Sequence, residues 1–148
     1  MVTMGGEGTQ AAGGARVMSI NVGRTRPLRV ADALSVESGI VKRSISNEAK
    51  PIAVEVRKLG LAGDEQADPS VHGGLEKAVY LYSFEHYAWW EKKRTDAAVE
   101  DGEAPLPFGA LGENLTVCGL LENDLWVGDR LIVGEVRLRV EAPRACSR

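Results

Sequence analysis

Two cysteines in 148 residues, Cys118 and Cys146, are too few for a disulfide framework, though they leave one disulfide open. Together with His72 and His86 they also lack the paired local spacing of a structural zinc site. No uninterrupted apolar run approaches the length that a membrane span requires. Positive charge is not in excess: 18 Lys and Arg against 21 Asp and Glu leave a formal charge of −3. That balance argues against nucleic acid as a partner, because a polyanion-binding surface needs clustered cations. The one basic run, KKR at 92–94, ends a predicted helix, where cations complement the carbonyl end of the macrodipole. No Gly-x-Ser-x-Gly elbow, internal repeat or flavin, haem or nicotinamide motif is visible.

What is present is ordinary for one globular unit: 44% apolar and 26% charged residues, in a chain long enough to bury a core without metal or disulfides. Residues 1–16 carry five glycines and no apolar centre of a secretory signal. They are expected to form a flexible tail before a domain at 17–148, with reduced thiols in the cytoplasm. Short β-branched segments at 17–22, 39–45, 53–59 and 77–82 read as strands. Alternation is clearest at 136–140, where Val136, Leu138 and Val140 oppose Arg137 and Arg139. Gly134 and Glu135 should close a hairpin between that strand and RLIV at 130–133. One helix follows Ser83, read as its N-cap, with Phe84, Tyr87, Ala88 and Glu91 at helical spacing. The acidic, proline-containing stretch 95–107 reads as an exposed loop. Many short strands, one helix and one long loop favour a mostly antiparallel barrel.

The polar residues that could carry chemistry cluster at loop positions. His72 stands before Gly73 and Gly74, which let a backbone approach a ligand closely and offer amides to oxygen-rich or anionic groups. Asn114, at the start of a predicted strand, offers both amide donors and a carbonyl acceptor; a turn-shaping role for Gly112, Glu113 and Asn114 is the alternative. Lys42 and Arg144 are the cations best suited to a phosphate-bearing ligand, the arginine as a two-pronged donor. Cys146 follows the last predicted strand, where a thiolate favoured by Arg144 would be a soft metal donor, or else an inert terminal thiol. Cys118, on a predicted strand, reads as a small buried hydrophobe, and His86 as structural. Asp64 and Asp129 are read as loop-fixing groups.

Eight segments in order, NVGR (21–24), GIVK (39–42), GDEQAD (63–68), VHGG (71–74), KAV (77–79), EHY (85–87), FGALGENL (108–115) and GD (128–129), closely resemble the MOSC domain. This module is named after the C-terminal part of molybdenum cofactor sulfurases, and the likeness is to its bacterial stand-alone branch. It implies a mainly β, MOSC-like barrel with one or two short helices. It also implies molybdenum ion and molybdenum cofactor (molybdopterin) binding, with Cys146 as metal ligand or sulfur carrier and His72, Gly73 and Gly74 near the cofactor cleft. Asn114 would then hold the pterin or its phosphate, beside Lys42 and Arg144. Relatives include oxidoreductases that reduce N-hydroxylated bases and amidoximes, so a small-molecule substrate and an external electron-donor reductase are implied. A non-catalytic cofactor- or sulfur-carrying domain, or an inactive truncated remnant, is the other reading. Family members continue beyond the cysteine and place a proline before it, where this chain has Ala145 and stops at Arg148. The pyridoxal phosphate domain fused to some MOSC modules is not expected here.

Overall fold

The computed structural model describes residues 14–30, 34–67, 73–99 and 102–143. In chain order the strands are β1 (Arg16–Val22), β2 (Arg26–Val30), β3 (Leu34–Ser38), β4 (Arg43–Asn47), β5 (Val56–Arg57) and β6 (Gly60–Leu61). After a 3-10 turn at Leu75–Lys77 come β7 (Leu81–Ser83) and a second 3-10 turn, Phe84–His86, leading into helix α1 (Tyr87–Asp96). The remaining strands are β8 (Leu115–Cys118), β9 (Arg130–Val133) and β10 (Val136–Arg139).

A four-stranded sheet in the order β4-β1-β8-β7 forms the centre, and three two-stranded ribbons, β2-β3, β5-β6 and β9-β10, accompany it. β1 pairs antiparallel with both β4 and β8, whereas β7 runs parallel to β8. Among the described residues the architecture is therefore mainly β with one α-helix. Closure of these strands into a barrel, which the resemblance implies, is not formed by the hydrogen-bonded sheets of the described residues.

Ile20, Leu115 and Val117 of the central sheet pack with Val54 and Leu61 as the buried core. Val133, Val136 and Leu138 lie against it, so the β9-β10 ribbon uses its alternation to turn one face inward while Arg137 and Arg139 stay exposed. Burial of each large aliphatic contributes about 1.5–3 kcal/mol. The 130–140 hairpin thus follows the sequence expectation, with Gly134 at φ 60° supplying the left-handed turn residue.

Four expected elements differ. Of the strand anticipated over 53–59, only Val56–Arg57 forms one, in a ribbon with Gly60–Leu61. The strand anticipated over 39–45 pairs only from Arg43 to Asn47, because residues 39–42 leave the sheet to line a cleft. The strand anticipated over 77–82 begins pairing at Leu81, after the 3-10 turn. Ser83 does not cap the helix: its hydroxyl donates to the Leu120 carbonyl, and α1 starts four residues later. This anchors the chain to the end of β8 before the helix begins.

Candidate functional site

β1 is irregular at two points, between Val17 and Ser19 and between Ile20 and Asn21. Such bulges bend a strand and re-aim its side chains, and here Ser19, Ile20 and Asn21 are all buried in succession. Past the second bulge, the chain delivers Gly23 against the 39–42 segment. A Cβ on Gly23 would lie 2.2 Å from the Val41 carbonyl oxygen. One on Gly109 would meet the Lys42 backbone at 3.0 Å, and one on Gly112 would meet Ile40 Cγ1 at 2.7 Å. Gly109 and Gly112 also need their glycine identity for conformation, at φ 86° and 82°. Three glycines from distant parts of the sequence thus form a seat on which residues 40–42 rest.

That seat fixes Lys42. Its ammonium lies 2.5 Å from Asp64 Oδ1, and the two side chains are only 7% and 6% exposed. The same oxygen accepts the Gly23 backbone N–H at 2.8 Å, and Oδ2 accepts Asn114 Nδ2 at 2.8 Å. Asn114 in turn takes the Tyr80 N–H on its side-chain carbonyl at 3.0 Å and donates to the Asn21 carbonyl at 3.3 Å. The amide of Asn114 is therefore fully engaged by protein groups, whereas the three-donor ammonium of Lys42 has one carboxylate partner among the described residues. Asp64 holds loops together, as expected, and does so by joining the 21–24 segment, the 39–42 segment and the start of β8. Asp129 likewise accepts the Trp126 N–H within its own turn.

Above this unit opens a cleft of about 270 Å³, lined among others by Gly39, Lys42, Asp64, Glu65, Tyr80 and Asn114. Glu65 accepts the backbone N–H and the hydroxyl of Thr25, and these bonds hold its carboxyl below the ordinary glutamate range. Neighbouring Gln66 ties its loop down on both sides, donating to the Leu59 carbonyl at 2.8 Å and accepting the Gly74 N–H at 2.9 Å. The cleft lining thus carries two lysines, Lys42 and Lys77, and three acids, Glu37, Asp64 and Glu65, with Lys42 and Asp64 paired to each other.

Beneath it lies a group that sequence reasoning left as a turn residue. Glu113 is completely buried. Its Oε1 accepts from the Tyr87 hydroxyl, the Gly109 N–H at 2.8 Å and the Thr116 hydroxyl at 2.7 Å, while Oε2 accepts the Leu111 N–H at 3.1 Å. Tyr87 is itself buried, and burial followed by the adjacent carboxylate raises its phenol above the usual tyrosine range. Thr116 continues the network to Asn21, Ser19 and Ser44. The signal for this hub was available: Glu113 is the lone charged residue in the stretch 108–118.

Of the residues expected at the site, Lys42 and Asn114 are brought to one cleft, bridged by Asp64. Gly73 and Gly74 are half-buried and do not line it; the Gly74 amide is directed to Gln66. His72, Arg144 and Cys146 lie outside the described residues. Cys118 is half-buried at the end of β8, away from the lining, and His86 pairs with Glu122 at 2.8 Å. Among the described residues no group of three or more His, Cys, Asp or Glu is arranged to hold a metal ion, and no helix is long and apolar enough to cross a membrane.

A strand-rich domain with a glycine-seated lysine at the floor of a polar cleft is the class of protein that fold and site define. The chain belongs to the MOSC domain family, whose model matches residues 68–148. It is 38% identical over 128 residues to the uncharacterised protein YflK of Bacillus subtilis (strain 168), covering 86% of this chain and 52% of that protein. It is also 38% identical over 107 residues to protein YiiM of Escherichia coli (strain K12), covering 66% of this chain and 46% of that protein. The crystal structure of YiiM from Geobacillus stearothermophilus superposes with a TM-score of 0.54 at 27% identity, covering 88% of this chain and 52% of that one. The chain spans about half the length of the curated relatives it matches.

Proposed function

We propose that this chain is a MOSC domain that binds molybdenum cofactor. Lys42 is then the cation for the anionic, oxygen-rich end of the pterin, Arg144 a second phosphate partner, and Cys146 the thiolate ligand of the metal. The observation that carries this reading is the buried Lys42–Asp64 pair at the cleft floor, with the ammonium's remaining N–H donors uncommitted among the described residues. A buried lysine so oriented is suited to an anion, which would complete its hydrogen bonding. The cleft volume, about 270 Å³, is below the roughly 300–1,000 Å³ of sites that enclose a whole ligand. It therefore suits one end of the cofactor; by the family resemblance the metal would fall to Cys146, with His72, Gly73 and Gly74 as further cofactor contacts. In the same reading the sheet and its ribbons belong to a MOSC-type barrel whose rim carries the cleft, in a cytoplasmic protein.

The function that follows is reduction of N-hydroxylated compounds with electrons from a separate reductase. Redox chemistry at the N–O bond is what the cofactor supplies when bound. The chain's own described residues bind and orient: Lys42 neutralises an anionic group, and Asp64 and Asn114 hold that lysine in place. Asn114 acts here through the protein rather than through direct contact, since its donors and acceptor are engaged by Asp64, Asn21 and Tyr80.

A non-catalytic cofactor- or sulfur-carrying domain is the second reading, favoured by the same saturation of polar groups, which suits holding a ligand more than moving protons. Purified protein reduced with dithionite separates the two. Consumption of an N-hydroxylated purine together with bound molybdenum supports the oxidoreductase. Molybdenum or transferable sulfur without turnover supports the carrier, and a folded product with neither overturns both.

A further inference from the structure

We infer that Glu113 is a positioning residue for Lys42, acting from beneath the cleft through the turn that seats it. A fully buried carboxylate needs compensating donors; Glu113 finds four, and two of them are backbone N–H groups of the 109–112 turn, at Gly109 and Leu111. These bonds bind the turn to both carboxylate oxygens. The turn's two glycines are the ones whose Cα atoms abut Lys42 and Ile40, close enough that a Cβ would lie at 3.0 and 2.7 Å. The position of residues 40–42 is thereby set by the shape that Glu113 imposes. From there the Lys42 side chain reaches Asp64.

Tyr87 and Thr116 hold the carboxylate from the other side, anchoring it to the helix and to β8. They differ from the turn amides in consequence. Loss of the Thr116 hydroxyl removes one donor and leaves the Gly109 and Leu111 bonds intact, whereas a change at Glu113 itself alters the turn. A merely structural Glu113 would lower stability in either case without moving Lys42. A positioning Glu113 moves Lys42 only when the turn is altered.

The consequence for ligand binding rests on the cofactor reading above, but the placement of Lys42 does not, so the test uses ligand-free protein. The probe is the NMR resonance of the Lys42 ammonium, assigned by its disappearance in Lys42→Met. In the parent protein the ion pair holds it apart from the exposed lysines. Glu113→Gln keeps one acceptor but presents an amide donor to a backbone donor, and the resonance is expected to move to the exposed-lysine position. Thr116→Val is expected to lower the melting temperature and leave the resonance in place. Where Glu113→Gln does not fold, Glu113→Asp, whose carboxylate is one methylene too short to keep both the Gly109 and Leu111 N–H bonds, is expected to shift the resonance in the same direction. An unmoved Lys42 resonance in whichever of these two variants is folded, or an equal shift in Thr116→Val, overturns the inference. Because no cofactor enters the measurement, a failed cofactor reading leaves its outcome unchanged.

Discussion

Lys42 and Asp64 are unequal partners, and the inequality is measurable. Removing Asp64 leaves a nearly buried ammonium without its counter-charge and also strips the acceptor from Gly23 N–H and Asn114 Nδ2. Breaking a buried pair this way costs about 3–5 kcal/mol, so Asp64→Ala should lower the urea midpoint sharply. Removing Lys42 leaves the carboxylate with two donors, and Lys42→Met should cost only about 1–3 kcal/mol. Equal losses would contradict the account. A second residue, Tyr87, links stability to alkaline pH. The folded chain holds the phenol proton more tightly than the unfolded chain, because burial and then Glu113 disfavour the phenolate. Its contribution is fully present below pH about 10 and declines as the pH rises beyond that, where the unfolded state releases the proton first. Urea unfolding at several pH values should therefore show a steeper alkaline loss in the parent protein than in Tyr87→Phe.

At the scale of elements, glycine is what lets the 39–42 segment leave the sheet. Gly23 tests this directly, since its added Cβ would stand 2.2 Å from a backbone oxygen that no side-chain rotation can move. Gly23→Ala is expected to cost about 1–3 kcal/mol, in the range of overpacking, read as a lower denaturant midpoint with unchanged slope. The substitution is silent only if the seat is not formed. The same element shows where sequence reading stopped. GIVKRSI at 39–45 has the β-branched composition of one strand, and nothing local says that its first half packs on glycines 18 to 72 positions away. By contrast the 130–140 hairpin was legible, because strict alternation and Gly134 are local signals. The β2-β3 ribbon was not anticipated; Pro27 within RPLRV demotes such a run unless it lies at an edge, which a two-stranded ribbon provides. Ser83 had the right chemistry for a cap, but the Leu120 carbonyl took its hydroxyl, a contact 37 residues away. Lys42 and Asn114 could be named from residue type and motif. Their bridging by Asp64, and the support from Glu113, needed the fold.

At the scale of the whole molecule, four segments spread over most of the chain meet around one lysine: 21–24 through Gly23, 39–42, the Asp64 loop, and 109–114 before β8. These coincide with four of the eight segments that carry the MOSC resemblance, so those four are, in this chain, the parts of one buried assembly. The four-stranded sheet explains why they can meet, since central β1 and β8 end at that assembly. The claim on which the function stands is that this assembly holds the anionic end of molybdenum cofactor. Its most direct test is the molybdenum content, by mass spectrometry, of the parent protein and of Lys42→Met purified side by side from cells able to make the cofactor. The account predicts stoichiometric molybdenum in the parent and a marked loss in the folded variant; a metal-free parent, or a variant that retains its full complement, would contradict it.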